Sequence, residues 1–416
     1  MAERGPGGGG AGGRGPWLSI IGIGEDGLSG LNSASLDALA NAEIVFGGPR
    51  HLALAEVGDR GRAWPEPFSI EPVLALRGRS VAVLASGDPF WHGAGGSLAA
   101  HLDAGEWVTF PAPSTFSLAA ARLGWRLEAT TCLGLHAAPL ETMLPYLSPG
   151  QRAICLVRDV AAVGALTAWL AAKGFGASRV WVLEALGGQS ERVRDTRADA
   201  FALTGMTTPV AVAVAVAGAP GLPRTPGLPD HAFANDGQIT KRPVRALTLA
   251  ALAPRPGELL WDIGAGSGSI SVEWCLAGGR AIAIETKMLR AQNIRANALA
   301  FGLGRRLTVV EGPAAQALAG LERPAAVFLG GGAGTIASAN AGCAGRPLIE
   351  KLWDLLPPGV RLVANAVTLE TEALLVAAHS RHGGDLLRIE LSQAERLGGM
   401  RGWVPSRPVV QWSVVR

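Results

Sequence analysis

The sequence predicts an α/β protein whose single chain carries two sheet-based domains. Three observations lead there. Apolar strand-like runs alternate with helical stretches from Trp17 onward, the pattern of mainly parallel sheets. Trp17–Gly24 (WLSIIGIG) and the strand entering at Leu259 each run straight into a glycine turn. Finally, Leu259–Glu285 (LLWDIGAGSGSISVEWCLAGGRAIAIE) reads strand, glycine turn, helix, strand and acid, the order of a Rossmann-like nucleotide-binding half.

After the first strand, Leu36–Ala42 reads as a short helix and Glu43–Phe46 as a strand. Ser80–Ala85 is a buried strand broken by Ser86-Gly87-Asp88-Pro89, a turn-forming sequence. Ser97–Ala104 reads as a helix, Trp107–Phe110 as a strand and Ser117–Leu123 as a helix. A second series follows, with strand Ala153–Val157, helix Val160–Lys173, strand Arg179–Leu183 and the apolar strand starting at Val210. Ala219–Pro229 (APGLPRTPGLP) is too rich in proline to continue a helix or a central strand, so it marks the main boundary. Beyond it, helix Val244–Leu252 leads into the strand at Leu259. Later strands are Leu307–Val310, Ala325–Leu329, Val360–Ala364, Leu386–Leu391 and Val409–Val414, with helices at Ala291–Phe301, Leu348–Leu356 and Thr368–His379. The expected organisation is a glycine-rich disordered tail over 1–16, a first domain over 17–218, a Pro/Gly linker over 219–230 and a second domain over 231–416.

Bulk properties narrow the function. Hydrophobic residues make up 48% of the chain and charged residues 17%, and the net charge of +3 is too small for a nucleic-acid polyelectrolyte binder. Cys132, Cys155, Cys275 and Cys343 form no C-x-x-C pair, which argues against a disulfide framework and a zinc site. The longest apolar run, Val210–Gly218, is about half the length needed to span a bilayer, and the N-terminus has no apolar signal core. A cytoplasmic protein with no membrane or nucleic-acid partner is expected.

The glycine turn of the second domain is the most specific chemical signal. Gly264, Gly266 and Gly268 let a ligand come close to the backbone where a Cβ would clash. Glu285 stands about 20 residues past the turn, where a carboxylate can bond both ribose hydroxyls. The spacing is G-x-G-x-G, whereas dinucleotide dehydrogenases show G-x-G-x-x-G. Asp262 just before the turn favours S-adenosylmethionine as the ligand, with a structural cap on the turn as its alternative role. The seven-strand, doubly wound pattern with a late hairpin fits a class I methyltransferase better than a six-strand dehydrogenase.

The first domain resembles the tetrapyrrole (corrin/porphyrin) methyltransferases through Ile21–Gly24, Gly47–Leu52 (GGPRHL), Ser86–Gly95 (SGDPFWHGAG), Pro111–Trp125 and Leu183–Val193 (LEALGGQSERV). The second resembles the decarboxylating precorrin methyltransferases through Gly227–Phe233 (GLPDHAF), Ile239–Ala246 (ITKRPVRA), Leu259–Glu285, Val327–Gly332 (VFLGGG) and Ala364–Glu370 (ANAVTLE). One departure is Gly22-Ile23-Gly24-Glu25-Asp26-Gly27, where related first domains often carry G-x-G-P-G-D. The resemblance implies a two-lobed (class III) fold for the first domain, with one S-adenosylmethionine per domain. It implies a bifunctional enzyme of cobalamin synthesis that methylates C-5 and C-15 of precorrin-6B and decarboxylates the C-12 acetate to give precorrin-8. A homo-oligomer acting on a small tetrapyrrole is also implied.

The candidate cofactor residues of the second domain are Thr240, Asp262, Gly264, Ala265, Gly266, Ser267, Gly268, Glu285 and Gly312; Thr240 and Gly312 come from the resemblance. In the first domain the resemblance assigns Gly24, Gly87, Asp88, Pro89, Ser114 and Thr115 to the cofactor cleft. Methyl transfer from a sulfonium is largely in-line positioning, so few catalytic side chains are expected. Lys241, Arg242 and Arg245 cluster where cations could bind and orient a polycarboxylate, with a solvated helix start as the alternative. Glu273 is a candidate proton-handling group, or an ordinary helix carboxylate. Gly330, Gly331 and Gly332 suggest an open floor for a planar macrocycle, or a tight turn needing positive φ. His92 reads as structural, with a place facing the macrocycle as its alternative, and His379 and His382 sit near a helix end with no third ligand, so no metal site is expected there. The competing readings are an RNA methyltransferase with an N-terminal binding domain and a nucleotide-dependent dehydrogenase. The near-neutral charge and missing Asn/Asp-Pro-Pro-Tyr count against the first, and the glycine spacing against the second.

Overall fold

Two compact units make up the chain, seen in a computed structural model that describes residues 15–318, 320–330 and 347–416. The first takes in the described residues up to Ala138 together with Tyr146–Pro220; the second takes in Pro139–Pro145 and Gly221–Arg416.

In the first unit, β1 (Leu18–Ile23), β2 (Ile44–Gly47), β3 (Gly61–Ala63), β4 (Val81–Ser86) and β5 (Trp107–Phe110) form a sheet in the order β3-β2-β4-β1-β5. Every pairing in it is parallel. β1 and β4 are central and almost wholly buried, which is why both read as continuous apolar runs. Helices α1 (Ser33–Asn41), α2 (Pro49–Leu54), α3 (Glu71–Leu74), α4 (Ala94–Ala99) and α5 (Thr115–Leu123) complete this region. α1 begins earlier than expected because the Asn32 side chain caps it by accepting from Ser35 N–H. α4 was expected over Ser97–Ala104; it starts instead from Gly93 as N-cap and stops at Ala99. Gly22 allows β1 and the loop after β4 to meet: a Cβ there would overlap the Gly87 carbonyl and lie 2.7 Å from Ala112 N.

The second sheet of this unit corrects the expectation of mainly parallel pairing. β6 (Thr131–Gly134), β7 (Arg152–Leu156), β8 (Arg179–Glu184), β9 (Arg192–Arg197) and β10 (Val210–Ala215) lie in the order β6-β7-β10-β8-β9. Only β6–β7 is parallel; β10 runs antiparallel to both β7 and β8, and β9 antiparallel to β8. β7 and β8, joined through α6 (Val160–Ala172), do point the same way, but the apolar β10 inserts between them. β9 (RVRDTR) escaped the sequence reading because it alternates charges at the edge and buries no face.

The second unit runs α7 (Arg242–Leu252), β11 (Leu259–Ile263), α8 (Ser269–Leu276), β12 (Arg280–Glu285), α9 (Met288–Ala300), β13 (Leu307–Glu311), α10 (Ala314–Ala317) and β14 (Ala326–Leu329). It continues through α11 (Leu348–Leu355), β15 (Arg361–Ala366), α12 (Leu369–His382), β16 (Asp385–Ile389), β17 (Ser392–Leu397), β18 (Met400–Pro405) and β19 (Val409–Val415). The seven-stranded sheet has the order β13-β12-β11-β14-β15-β19-β16, with β19 antiparallel to both its neighbours. This is the doubly wound, Rossmann-like arrangement expected. Apolar clusters that include fully buried Trp412 and Trp274 build its core. The strand order reverses between β11 and β14, and ligands of open α/β sheets bind outside the carboxyl ends of strands at such a point. β17 and β18 form a separate exposed hairpin that the sequence reading did not find.

Candidate functional site

β11 delivers buried Asp262 to the carboxyl end of the sheet, and the glycine turn follows it. Gly264, Gly266 and Gly268 have φ of +69°, +59° and +71°, so all three occupy the left-handed region that disfavours a side chain. Gly264 and Ala265 donate their N–H groups to Ile284 O, which ties the turn to β12. Gly268 then caps α8, and a Cβ on it would come within 2.8 Å of Ile294 Cγ2.

Glu285 ends β12 and is 5% exposed. Its Oε2 accepts from Gly266 N–H at 2.8 Å and its Oε1 from Lys287 N–H at 3.0 Å. The carboxylate therefore stands beside the glycine turn. Gly312, just past β13, donates its N–H to Glu285 O and faces open space where a Cβ would be. On the other side, the Gln238 carbonyl lies 3.5 Å from the Cβ position of Gly266, so the segment holding Thr240 also runs past the turn.

Asp262 Oδ2 accepts from Ser271 N–H at 3.2 Å and from Ser271 Oγ at 2.6 Å. Its Oδ1, like Ser267 Oγ, is buried with no partner. Two orphaned polar atoms beside a turn with open space at Gly312 fit a polar ligand such as S-adenosylmethionine. Burial pushes the Asp262 carboxyl up to about 6. An acid whose pKa rises on folding holds its proton more tightly in the folded chain than in the unfolded chain. Its ionisation costs stability in full above about pH 6 and nothing below the ordinary value of 3.8. Relative to Asp262→Asn, the natural second unit should thus gain about 2 kcal/mol as pH falls from 7 to 4. Urea unfolding of the two chains across that range checks this, and parallel pH profiles would refute it.

Arg245 and Glu273 require a correction. Arg245 is 0% exposed and donates from Nε to Glu273 Oε1 at 2.6 Å. It also donates to Asp230 Oδ1 and to the Thr240 and Leu228 carbonyls, and its guanidinium lies 4.8 Å from the centre of the Phe233 ring. Glu273 accepts further from Gly227 N–H at 2.6 Å and Leu228 N–H at 3.0 Å. Neither residue is free for a substrate carboxylate or a proton in transit. They pin the segment from Gly227 to Arg245 onto α8, so the Pro/Gly stretch is anchored in the second unit at its end.

Lys241 and Arg242 remain exposed, as the cation reading needs. With His231, Asp230, Pro226 and Gln393 they line a cleft of about 820 Å³. Gly330 does not sit at positive φ; it is needed because a Cβ would lie 2.9 Å from Gly264 O. Gly331 and Gly332 lie outside the described residues.

In the first unit the candidate residues gather at the carboxyl ends of β1, β4 and β5. Gly87 has φ +56°, and a Cβ on it would come within 2.7 Å of Pro113 O. A Cβ on Gly24 would meet Asp26 Oδ1 at 2.5 Å. Asp88 Oδ1 accepts from Phe90 N–H, the Pro89 carbonyl accepts from Gly95 N–H, and Ser114 caps α5, whose first residue is Thr115. The second sheet's loops close on these: Gly134 against the His92 ring, Gly187 against Leu118 and Gly188 against Glu25.

Sequence reasoning missed a polar cluster here. His51 Nε2 lies 2.8 Å from Ser86 Oγ and 2.9 Å from Arg50 Nη2, and Arg50 is paired with Glu25. Its signal in the sequence is the Gly47–Leu52 motif (GGPRHL), which carries Arg50 and His51. His92 packs near Phe116 and His382 stacks on Trp353 at 3.9 Å. No metal-holding group occurs among the described residues, nor any helix long and apolar enough to cross a membrane.

Comparisons with known proteins match both halves. Residues 18–202 match the tetrapyrrole (corrin/porphyrin) methylase model and residues 231–416 the precorrin methyltransferase domain model. A precorrin-6Y C(5,15)-methyltransferase [decarboxylating] of Sinorhizobium sp is 49% identical over 408 residues, covering 96% of each chain. One of the same name from Mycobacterium tuberculosis is 42% identical over 404 residues, covering 96% of this chain and 100% of that protein. A probable cobalt-precorrin-6B C(15)-methyltransferase (decarboxylating) of Pyrobaculum aerophilum is 34% identical over 192 residues, 44% of this chain and 93% of that one.

Proposed function

The chain belongs to the decarboxylating precorrin-6Y C5,15-methyltransferases, methyltransferases of cobalamin synthesis, and from that premise we propose how its two domains divide the work. The first domain methylates C-5, and the second methylates C-15 and removes the C-12 acetate carboxyl, taking precorrin-6B to precorrin-8. Each domain uses its own S-adenosylmethionine. The observation that carries this is the presence of two separate glycine-turn sites, one at Gly24 and Gly87 and one at Gly264–Gly268. The Pyrobaculum relative, less than half this chain's length in its match, joins C-15 methylation and decarboxylation in one name. That supports placing both on one domain.

The bound sulfonium supplies an activated methyl group, so the protein's task is holding and aligning. Glu285 grips the ribose while the backbone of Gly264–Gly268, with Ala265 and Ser267, leaves room for the methionine portion. Thr240, Gly312 and Asp262 complete the pocket. Lys241, Arg242 and His231 present positive charge or hydrogen-bond donors to the ring carboxylates, and a cleft of about 820 Å³ is of a size that holds a large ligand. Loss of carbon dioxide needs an unneutralised, poorly hydrated carboxylate and the conjugated ring as electron sink. The test is incubation with precorrin-6B and methyl-labelled donor. Two labels and one lost carboxyl are expected; a single label, or two labels with every carboxyl retained, would overturn the bifunctional reading.

A homo-oligomer is part of this reading. The β17–β18 hairpin exposes Leu397, Met400 and Trp403 by 71%, 79% and 76%, more than a lone hairpin in water favours. Met400→Glu with Trp403→Glu should shift the protein to a smaller species in light scattering, with the melting temperature of the first unit unchanged. An unaltered mass would exclude the hairpin as an interface.

A further inference from the structure

We propose that Ser86 and His51, backed by Arg50, form the proton-accepting station for methylation in the first domain. The proposal rests on the reading that this domain methylates a bridge carbon of a tetrapyrrole.

The hydrogen-bond pattern fixes the direction of the bonds. Arg50 Nη2 can only donate, and it lies 2.9 Å from His51 Nε2 and 3.1 Å from Ser86 Oγ. His51 Nε2 therefore offers a lone pair, and the ring proton sits on Nδ1. Nε2 has a single lone pair, so the 2.8 Å contact donated by the serine hydroxyl takes it, and the Arg50 N–H is directed to Ser86 Oγ. The serine proton is thus committed to histidine, Arg50 supports the serine oxygen, and a second oxygen lone pair is left over. Ser86 is exposed, so that lone pair can meet a ligand.

Location and burial agree with this. Ser86 ends β4 immediately before Gly87-Asp88-Pro89, and Arg50 and His51 follow β2. Glu25, next to Gly24, pairs with Arg50 and is closely approached by Gly188 of the loop after β8. His51 Nδ1 is buried with no partner, an arrangement that a purely structural histidine avoids. Burial and the neighbouring Arg50 charge hold His51 at about 4, so at neutral pH the ring is ready to accept rather than already protonated. It also surrenders the proton readily to water afterwards.

The chemistry needs such a group. Methylation at a bridge carbon replaces its hydrogen. The carbon's π pair forms the new C–C bond, and the donor's C–S bond breaks with its pair staying on sulfur. The carbon then carries both methyl and hydrogen on a cationic ring. Loss of that proton returns the C–H pair to the conjugated system. Ser86 Oγ takes the proton as its own hydroxyl proton passes to His51 Nε2.

The test uses the full chain and substrate carrying deuterium at the bridge carbon. Ser86→Ala and His51→Gln should slow the first methylation by about 10²-fold or more and show a larger isotope effect than the natural chain. Their donor affinity by calorimetry should stay within about twofold, and Ser86→Thr, which keeps the hydroxyl, should hold the rate within about tenfold. Nitrogen-15 NMR of the free protein should show His51 neutral with its proton on Nδ1 at pH 7. Unchanged rates in both variants, or donor affinity lost in step with rate, would overturn the proposal. Failure of the natural chain to methylate the first position would instead remove the reading beneath it.

Discussion

Replacing Arg245 with Met is expected to destabilise the second unit by about 3–5 kcal/mol, because it leaves Glu273 charged and buried without its partner. Glu273 would keep the two N–H groups of Gly227 and Leu228 but lose the guanidinium at 2.6 Å. The Leu228 and Thr240 carbonyls would lose donors as well. The double change Arg245→Met with Glu273→Leu should recover part of the loss, since it removes both charges together. Exposed Lys241, 3.9 Å from Asp230, should cost under about 1 kcal/mol on change to Ala. Because the chain has two units, calorimetry resolving two melting transitions is the proper measurement. An Arg245→Met transition within a degree of the original would show that the pair carries no such weight.

Glu285→Ala should weaken methyl-donor binding in the second domain by roughly 10²-fold, through lost hydrogen bonds to a charged group. The same change removes the acceptor that steadies Gly266 N–H. The expected product carries the C-5 methyl alone, with its acetate intact. Calorimetry should then show one donor site at its former affinity and one nearly lost. If both labels still appeared, Glu285 would not be the ribose anchor.

Much of this was legible in the residues, and what was not has identifiable physical causes. Gly264, Gly266 and Gly268 could be read because nothing but glycine suits three left-handed positions between a strand and a helix. The seven-strand, doubly wound pattern followed from apolar runs separated by helices. β9 and the β17–β18 hairpin stayed hidden because they are exposed on both faces and interspersed with charge, with no buried period to detect. β10 going between β7 and β8 is a choice of tertiary packing that a linear pattern does not contain. Arg245 reads in the sequence as a carboxylate binder or a solvated helix start and Glu273 as a proton-handling group or an ordinary helix carboxylate; their partnership spans 28 positions and shows only when α7 meets α8. His51 and Ser86 come from different strand ends and were matched as motifs without being recognised as neighbours.

The two amide donors that Gly227 and Leu228 extend to Glu273 decide where this polypeptide can be cut. A truncated catalytic half starting at residue 231, where the family match begins, would amputate both and leave buried Glu273 with Arg245 as its remaining partner. A recombinant fragment meant to stand alone should therefore open no later than Pro226.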